Sequence, residues 1–207
     1  DPGNEWIDTG DTLVPGTVPF DERPAIERSD YVFNANNSYW LSSPRAPLTG
    51  ASVLYGRTDA PRSLRTRMNV HMLENRYGDA GDNGRFSMTD VQKSLFENRG
   101  LAAELLLPGL KTACEQSPDD LARACEVLAA YDGSLNLDSP GAVLFREWLT
   151  RYEYSETLGD GSLFGKAFAA SDPVDTPRTL GDRARAMEEL ARAVEVLDEA
   201  DLPLDES

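Results

Sequence analysis

Apolar positions in this chain change their spacing near residue 65. Before it they come in short runs: Trp6-Ile7, Thr12-Leu13-Val14, Thr17-Val18-Pro19-Phe20 and Asp30-Tyr31-Val32-Phe33, separated by Gly, Pro and Asp. Brief β-branched and aromatic runs bounded in this way predict strands joined by turns. Ser42–Gly56 carries Pro44, Pro47 and Gly50 and is predicted as a surface loop.

From Arg65 onward the spacing becomes helical. Arg65–Arg76 sets Met68, Met72 and Leu73 on one side. Ser87, with Asp90 three residues on, reads as a capped helix start whose inner face is Val91, Leu95 and Phe96. Leu101–Cys114 continues as helix, with a break expected at Pro108-Gly109. In Asp119–Tyr131, Leu121, Ala124, Cys125 and Leu128 recur at helical intervals, and Asp132-Gly133 ends the element. Ser139-Pro140 opens a further helix that buries Val143, Leu144, Trp148 and Leu149. The last, Gly181–Ala200, aligns Met187, Leu190, Val194 and Leu197 in one stripe. There is no internal repeat. The pattern is α+β: a strand-and-loop part over residues 1–64, then a helical segment over 65–207.

Composition narrows what this arrangement can serve. The 207 residues are 40% hydrophobic, enough for one sizeable domain or a large part of one. No apolar run reaches the roughly 20 residues of a membrane helix, and no signal-peptide pattern is present at Asp1. A net charge of −16 argues against nucleic acid or an anionic membrane as partner. The start at Asp1-Pro2-Gly3-Asn4 and the Pro-containing run to Ser207 are expected to be cuts within a longer, processed polypeptide.

Cys114 and Cys125 flank Ser117-Pro118-Asp119-Asp120, where Ser suits a helix N-cap, Pro the first helical position and acids the first turn. A helical hairpin at that point brings the sulfurs within reach of a disulfide, which would imply an oxidising compartment. The alternative is two thiols packed as small apolar residues. The reading adopted is the bridge.

The chemistry in the chain is sparse. His71 is the single histidine and falls in a predicted helix, where such a residue is usually at a surface or boundary. That disfavours a Ser–His–Asp or Cys–His arrangement, and no His/Cys metal cluster is present. Gly78–Gly84 followed by Asp90 has the outline of a calcium loop. Counted from Asp79, however, the third position is Gly81 and the twelfth is Asp90, so the pattern fails. Tyr31-Val-Phe-Asn-Ala-Asn-Asn-Ser-Tyr-Trp40 is more distinctive: an apolar run ends in side-chain amides. On spacing alone Asn34, Asn36 and Asn37 close a turn where φ can be unusual. An Asn held there can also donate its NH2 to an oxyanion.

Taken in order, Tyr31–Ser38, Trp40-Leu-Ser-Ser-Pro-Arg-Ala-Pro-Leu-Thr-Gly50, Arg65-Thr-Arg67 and Phe86-Ser-Met-Thr-Asp90-Val-Gln form a series, closed by the Cys114/Cys125 pair and Leu128–Gly133. This series resembles the penicillin acylase family of N-terminal-nucleophile hydrolases over about residues 28–150. It is most similar to the branch that removes long aliphatic acyl chains, that of the aculeacin and acyl-homoserine-lactone acylases. The resemblance implies an internal part of the β-subunit and a share in an αββα sandwich. It also implies amide hydrolysis through an acyl-enzyme on an N-terminal Ser outside this chain, whose α-amine is the base. Asn36 falls at the oxyanion-hole position, and Arg65 at the positioning arginine, with Arg67 as the fallback register. The family's calcium-ligating Asp matches Pro47 here, so calcium bound that way is disfavoured and no cofactor is implied. Expected partners are the other fragments of the precursor and a small acyl-amide substrate, in a secreted or periplasmic setting. The alternatives are an acylase of phenylacetyl or phenoxyacetyl groups, and a non-catalytic helical interaction domain.

Overall fold

The structure, a computed structural model, describes residues 10, 14, 16–81, 84–116 and 119–206. The chain divides between Ala60 and Pro61 into two compact units.

The first unit is built from short 3-10 turns at Phe20–Glu22, Tyr39–Leu41 and Val53–Tyr55, joined by irregular backbone. Among its described residues, Ala35, Trp40, Leu41 and Ser43 are buried. Among its described residues no strand forms, which corrects the strands expected at 17–20 and 30–33; those expected at Trp6-Ile7 and over most of Thr12–Val14 lie outside the described residues. Phe33 donates its amide to the Ser42 carbonyl at 2.9 Å, but Ser42 belongs to a turn, and Val32 is 54% exposed. β-propensity is a preference for a pleated surface with cross-strand neighbours, and this unit supplies none for residues 30–33.

The second unit contains seven helices among the described residues: α1 Leu64–Leu73, α2 Met88–Phe96, α3 Leu101–Cys114, α4 Ala122–Ala130, α5 Ala142–Leu149, α6 Tyr154–Thr157 and α7 Arg183–Glu199. It also holds an antiparallel pair, β1 Phe164–Lys166 and β2 Arg178–Leu180, with Phe164 opposite Leu180 and Lys166 opposite Arg178. The fold is therefore mixed helix with a small two-stranded sheet. α3 is central: α1, α4, α7 and β2 pack on it, and α5 packs on α7. Leu106, Leu110, Leu128, Leu144, Trp148 and Leu190 are fully buried between these elements. An aromatic series, Tyr131–Phe145–Trp148–Tyr152, runs through α5 with ring centroids 5.4–5.7 Å apart, and the Trp148 indole donates to the Ala186 carbonyl at 2.9 Å.

Three sequence expectations about these helices change. α3 runs through Pro108 without a break. Pro108 removes one backbone hydrogen bond, at a cost of about 3 kcal/mol. Leu106, Leu107 and Leu110 on either side of it are buried, and each contributes about 1.5–3 kcal/mol. Burial wins. Gly109 is also not a breaker, because a Cβ built there would lie 2.5 Å from the Leu180 Cβ; β2 approaches so closely that only Gly fits.

The second change concerns α2. Ser87 and Asp90 form the expected capping box, yet the predicted inner face is outward: Val91, Leu95 and Phe96 are 49%, 62% and 70% exposed. The helix is tied to its unit by polar contacts instead. Lys93 donates to the Asp79 carboxylate at 2.9 Å and Ser94 to the same carboxylate at 3.4 Å, while Lys93 also pairs along the helix with Glu97 at 3.4 Å. Asp79, the first position of the failed calcium pattern, is thus neutralised by a lysine.

Third, the helix expected from Asp119 begins only at Ala122, after a 3-10 turn at Asp119–Leu121. The proposed cap Ser117 and Pro118 lie outside the described residues. The hairpin forms nonetheless, and Cys114 and Cys125 are joined by a disulfide with a Cα–Cα distance of 5.5 Å.

Candidate active site

Asn36 sits in the first unit, on the turn formed by the most distinctive stretch of the sequence. Its φ is 60°, in the left-handed region that Asn tolerates better than most residues. The Asn34 side-chain oxygen accepts the Asn36 amide at 2.8 Å, an Asx turn that favours this backbone. Neighbouring Ala35 is buried on one side and Trp40 and Leu41 on the other, while Asn36 itself is exposed. The turn therefore presents a carboxamide outward from an anchored base. Upstream, Arg28 grips Asp30 through two bonds of 2.8 and 2.7 Å and holds that carboxyl well below its ordinary range.

Arg65 and Arg67 belong to the second unit, in the first turn of α1. Ser63 caps that helix by accepting the Thr66 amide at 3.3 Å. The two arginines meet opposite environments. Arg65 is exposed. Arg67 is only 1% exposed, and its Nε donates to the Val174 carbonyl at 2.7 Å, 107 residues away. Burial lowers the Arg67 pKa to about 10, with Asp175 and Asp172 opposing the shift. The loop that receives Arg67 is itself fixed: buried Thr176 accepts the Ala169 amide at 2.9 Å and donates to the Asp172 carbonyl at 2.5 Å. Arg67 thus locks α1 to this loop and leaves Arg65 as the outward-facing member of the pair.

Sequence reading missed the group around His71. The imidazole lies half-buried, with Nε2 3.5 Å from Asp175 and 3.4 Å from the Arg76 guanidinium, and Nδ1 3.4 Å from the Tyr77 hydroxyl. Arg76 pairs with Asp175, and Tyr77 donates to Glu104 at 2.9 Å. Burial, reinforced by the Arg76 charge, lowers the His71 pKa; Asp175 only partly compensates. Burial and the Glu104 bond raise that of Tyr77. A neutral histidine among these partners is a packing and hydrogen-bonding element of α1, α3 and the 170s loop. The sequence signal was weak, since the partners come from positions 104 and 175.

A polar cleft of about 510 Å³ next to this group is lined by Tyr77, Glu97, Arg99, Glu104, Asp132 and Ser134, among others. Its side chains are engaged with each other: Arg99 bonds Glu97 at 2.7 Å and lies 4.2 Å over the Tyr77 ring. Among the described residues, no group of three His, Cys, Asp or Glu side chains is arranged to hold a metal.

The penicillin amidase family model matches residues 1–207. The chain is 36% identical over 178 residues to aculeacin-A acylase of Actinoplanes utahensis, covering 81% of this chain and 22% of that protein. It is 30% identical over 188 residues to the acyl-homoserine lactone acylase PvdQ of Pseudomonas putida, covering 90% and 23%. The PvdQ of Pseudomonas syringae pv. syringae is 31% identical over 180 residues, covering 84% and 22%. The chain thus spans between a fifth and a quarter of the length of the curated relatives it matches.

Proposed function

The chain belongs to the penicillin amidase family, and from that premise we propose that it is part of the β-subunit of an amidohydrolase. The complete enzyme releases a long aliphatic acyl chain from a lipopeptide, a homoserine lactone or a similar amine. Its nucleophile is the N-terminal Ser of the processed β-subunit, outside this chain. The Ser Oγ attacks the amide carbonyl carbon and its α-amine takes the proton. The C–N bond then breaks, the amine leaves with that proton, and water hydrolyses the acyl-serine ester to the free fatty acid. Asn36 donates its side-chain NH2 to the oxyanion in both steps, and Arg65 takes the family's positioning role for the N-terminal machinery. The single observation carrying this reading is the left-handed, exposed Asn36 on an anchored turn. A preorganised donor of that kind stabilises charge only as it develops.

Other features support the reading. Arg67 is buried on the Val174 carbonyl whereas Arg65 is exposed, which favours Arg65 for the positioning role. The exposed apolar side of α2 suits a piece that completes an αββα sandwich with the remaining fragments of the precursor. The Cys114–Cys125 bridge suits a secreted or periplasmic enzyme.

The test is Asn36→Ala in the full-length, self-processed enzyme, with hydrolysis of lauroyl and phenylacetyl amides compared. The expected result is a fall in kcat of about 10²–10³ with KM little changed, and a preference for the lauroyl amide. Unchanged turnover in a normally processed enzyme overturns the assignment of Asn36. A preference for the phenylacetyl amide overturns the substrate class.

A further inference from the structure

A left-handed backbone is held only where its surroundings over-determine it, and around Asn36 those surroundings can be traced. On the upstream side are the buried Ala35 and the Asn34 side chain that accepts the Asn36 amide. On the downstream side stands Ser38. Its hydroxyl donates to the Arg57 carbonyl at 2.5 Å, a link across 19 residues to the turn at Val53–Gly56. The same oxygen accepts the Trp40 amide at 3.4 Å, capping the 3-10 turn whose Trp40 and Leu41 are 2% and 3% exposed.

The approach of the two turns is tight. Gly56 has φ 122°, and a Cβ built on it would lie 2.9 Å from the Ser38 Cβ and 3.2 Å from its Oγ. Only a residue without a side chain lets the Ser38 hydroxyl reach the Arg57 carbonyl. Hydroxyl, carbonyl and glycine form one seat, two residues downstream of Asn36.

We propose that Ser38 is a positioning residue for amide hydrolysis: seated on the Arg57 carbonyl beside Gly56, it fixes the Asn34–Ser38 turn so that the Asn36 carboxamide is preorganised to donate to the oxyanion. This rests on the reading of Asn36 given above. Displacement of a donor by a fraction of an ångström weakens the bond to a developing charge while leaving ground-state binding of the acyl chain nearly untouched. Ser38 therefore acts on kcat and not on KM. It touches no reacting atom itself.

The experiment is a double-mutant cycle on the full-length processed enzyme, with a chromogenic lauroyl amide. Turnover is normalised to active sites counted from the acyl-enzyme burst, so that incomplete maturation does not register as slow chemistry. Ser38→Ala is expected to lower kcat about tenfold, the weight of one side-chain hydrogen bond, at nearly constant KM. Ser38→Thr, which keeps the hydroxyl, restores most of the rate. Gly56→Ala pushes Ser38 off its seat and gives the same loss, so it carries the test if Ser38→Ala does not mature. In an Asn36→Ala background Ser38→Ala has no further effect, because the group it positions is gone. A wild-type kcat in Ser38→Ala, or a loss that multiplies in full with that of Asn36→Ala, overturns the role of Ser38. A wild-type kcat in Asn36→Ala alone overturns the reading beneath it, which separates the two failures.

Discussion

Replacing Gly109 by Ala sets two energies of opposite sign against each other. Gly109 is the ninth residue of a 14-residue helix. Helix propensity alone predicts that Ala there stabilises by about 0.5–1 kcal/mol. The structure predicts the reverse. The new Cβ would stand 2.5 Å from the Leu180 Cβ, with Leu180 Cδ2 and Cγ at 3.4 and 3.5 Å. Ordinary carbon contacts begin near 3.5 Å, so about 1 Å has to be opened. A flexible side-chain tip could move aside cheaply, but a Cβ moves with its backbone. That backbone is held: Leu180 pairs with Phe164, Gly181 donates to the Leu163 carbonyl at 2.9 Å, and Asp182 to Ser162 at 3.0 Å. Overpacking costs about 1–3 kcal/mol, and a contact this short between two backbone-anchored Cβ atoms takes the upper half of that range, about 2–3 kcal/mol. After a propensity gain of about 1 kcal/mol the net loss is about 1–2 kcal/mol. Hydrogen exchange of amides in α3, measured in the full-length protein, reads it locally. Exchange of the slow amides at 101–114 is expected to accelerate by about five- to thirtyfold. Leu180→Gly, which removes the opposing Cβ, makes the pair strongly non-additive; Leu180→Ala, which keeps it, does not. Slower exchange in Gly109→Ala would refute the close approach of β2 and return the decision to propensity.

Two further outcomes follow from geometry elsewhere. The Cys114–Cys125 bridge closes a loop with a sequence separation of 11, so replacing both residues by Ser lowers stability by about 3 kcal/mol, read from the urea midpoint; two titratable thiols in the denatured, unreduced protein would remove the bridge itself. His71 has its pKa lowered in the folded protein by burial and by Arg76, so the unfolded state binds the proton more tightly. Its neutral packing is then fully retained above the ordinary histidine value of about 6.5 and is lost progressively as pH falls below it. Denaturation midpoints between pH 7 and pH 5 should fall less steeply in His71→Gln than in the parent; an equal slope would count against this account.

Much of the second unit was legible because a helix that buries one face must repeat apolar residues every three to four positions. Leu190 and Leu197 in α7, Leu144 and Trp148 in α5, and Ala124 and Leu128 in α4 appear on the stripes that the sequence predicts, and all are buried. Capping is equally local, so Ser87 and Asp90 identify the start of α2. β1 and β2 were invisible: Phe164-Gly-Lys166 and Arg178-Thr-Leu180 are three residues each, with no alternation to read. Their pairing follows from packing on α3.

For the candidate site the division is sharper. Sequence by itself determined that a turn rich in amides, Asn34, Asn36 and Asn37, follows the apolar run at 31–33, and that two arginines open the following helix, because each depends on residues adjacent in the chain; it singled out Asn36 only through the family resemblance. It could not decide which arginine faces inward, since Arg67 is claimed by a carbonyl at residue 174. It could not find the Ser38–Arg57 seat, because that bond joins positions 19 residues apart through a glycine whose role appears only at close approach. It also assigned α2 an inner face that the tertiary structure leaves exposed. Periodicity tells which face of a helix is apolar; only the neighbours decide whether that face is covered.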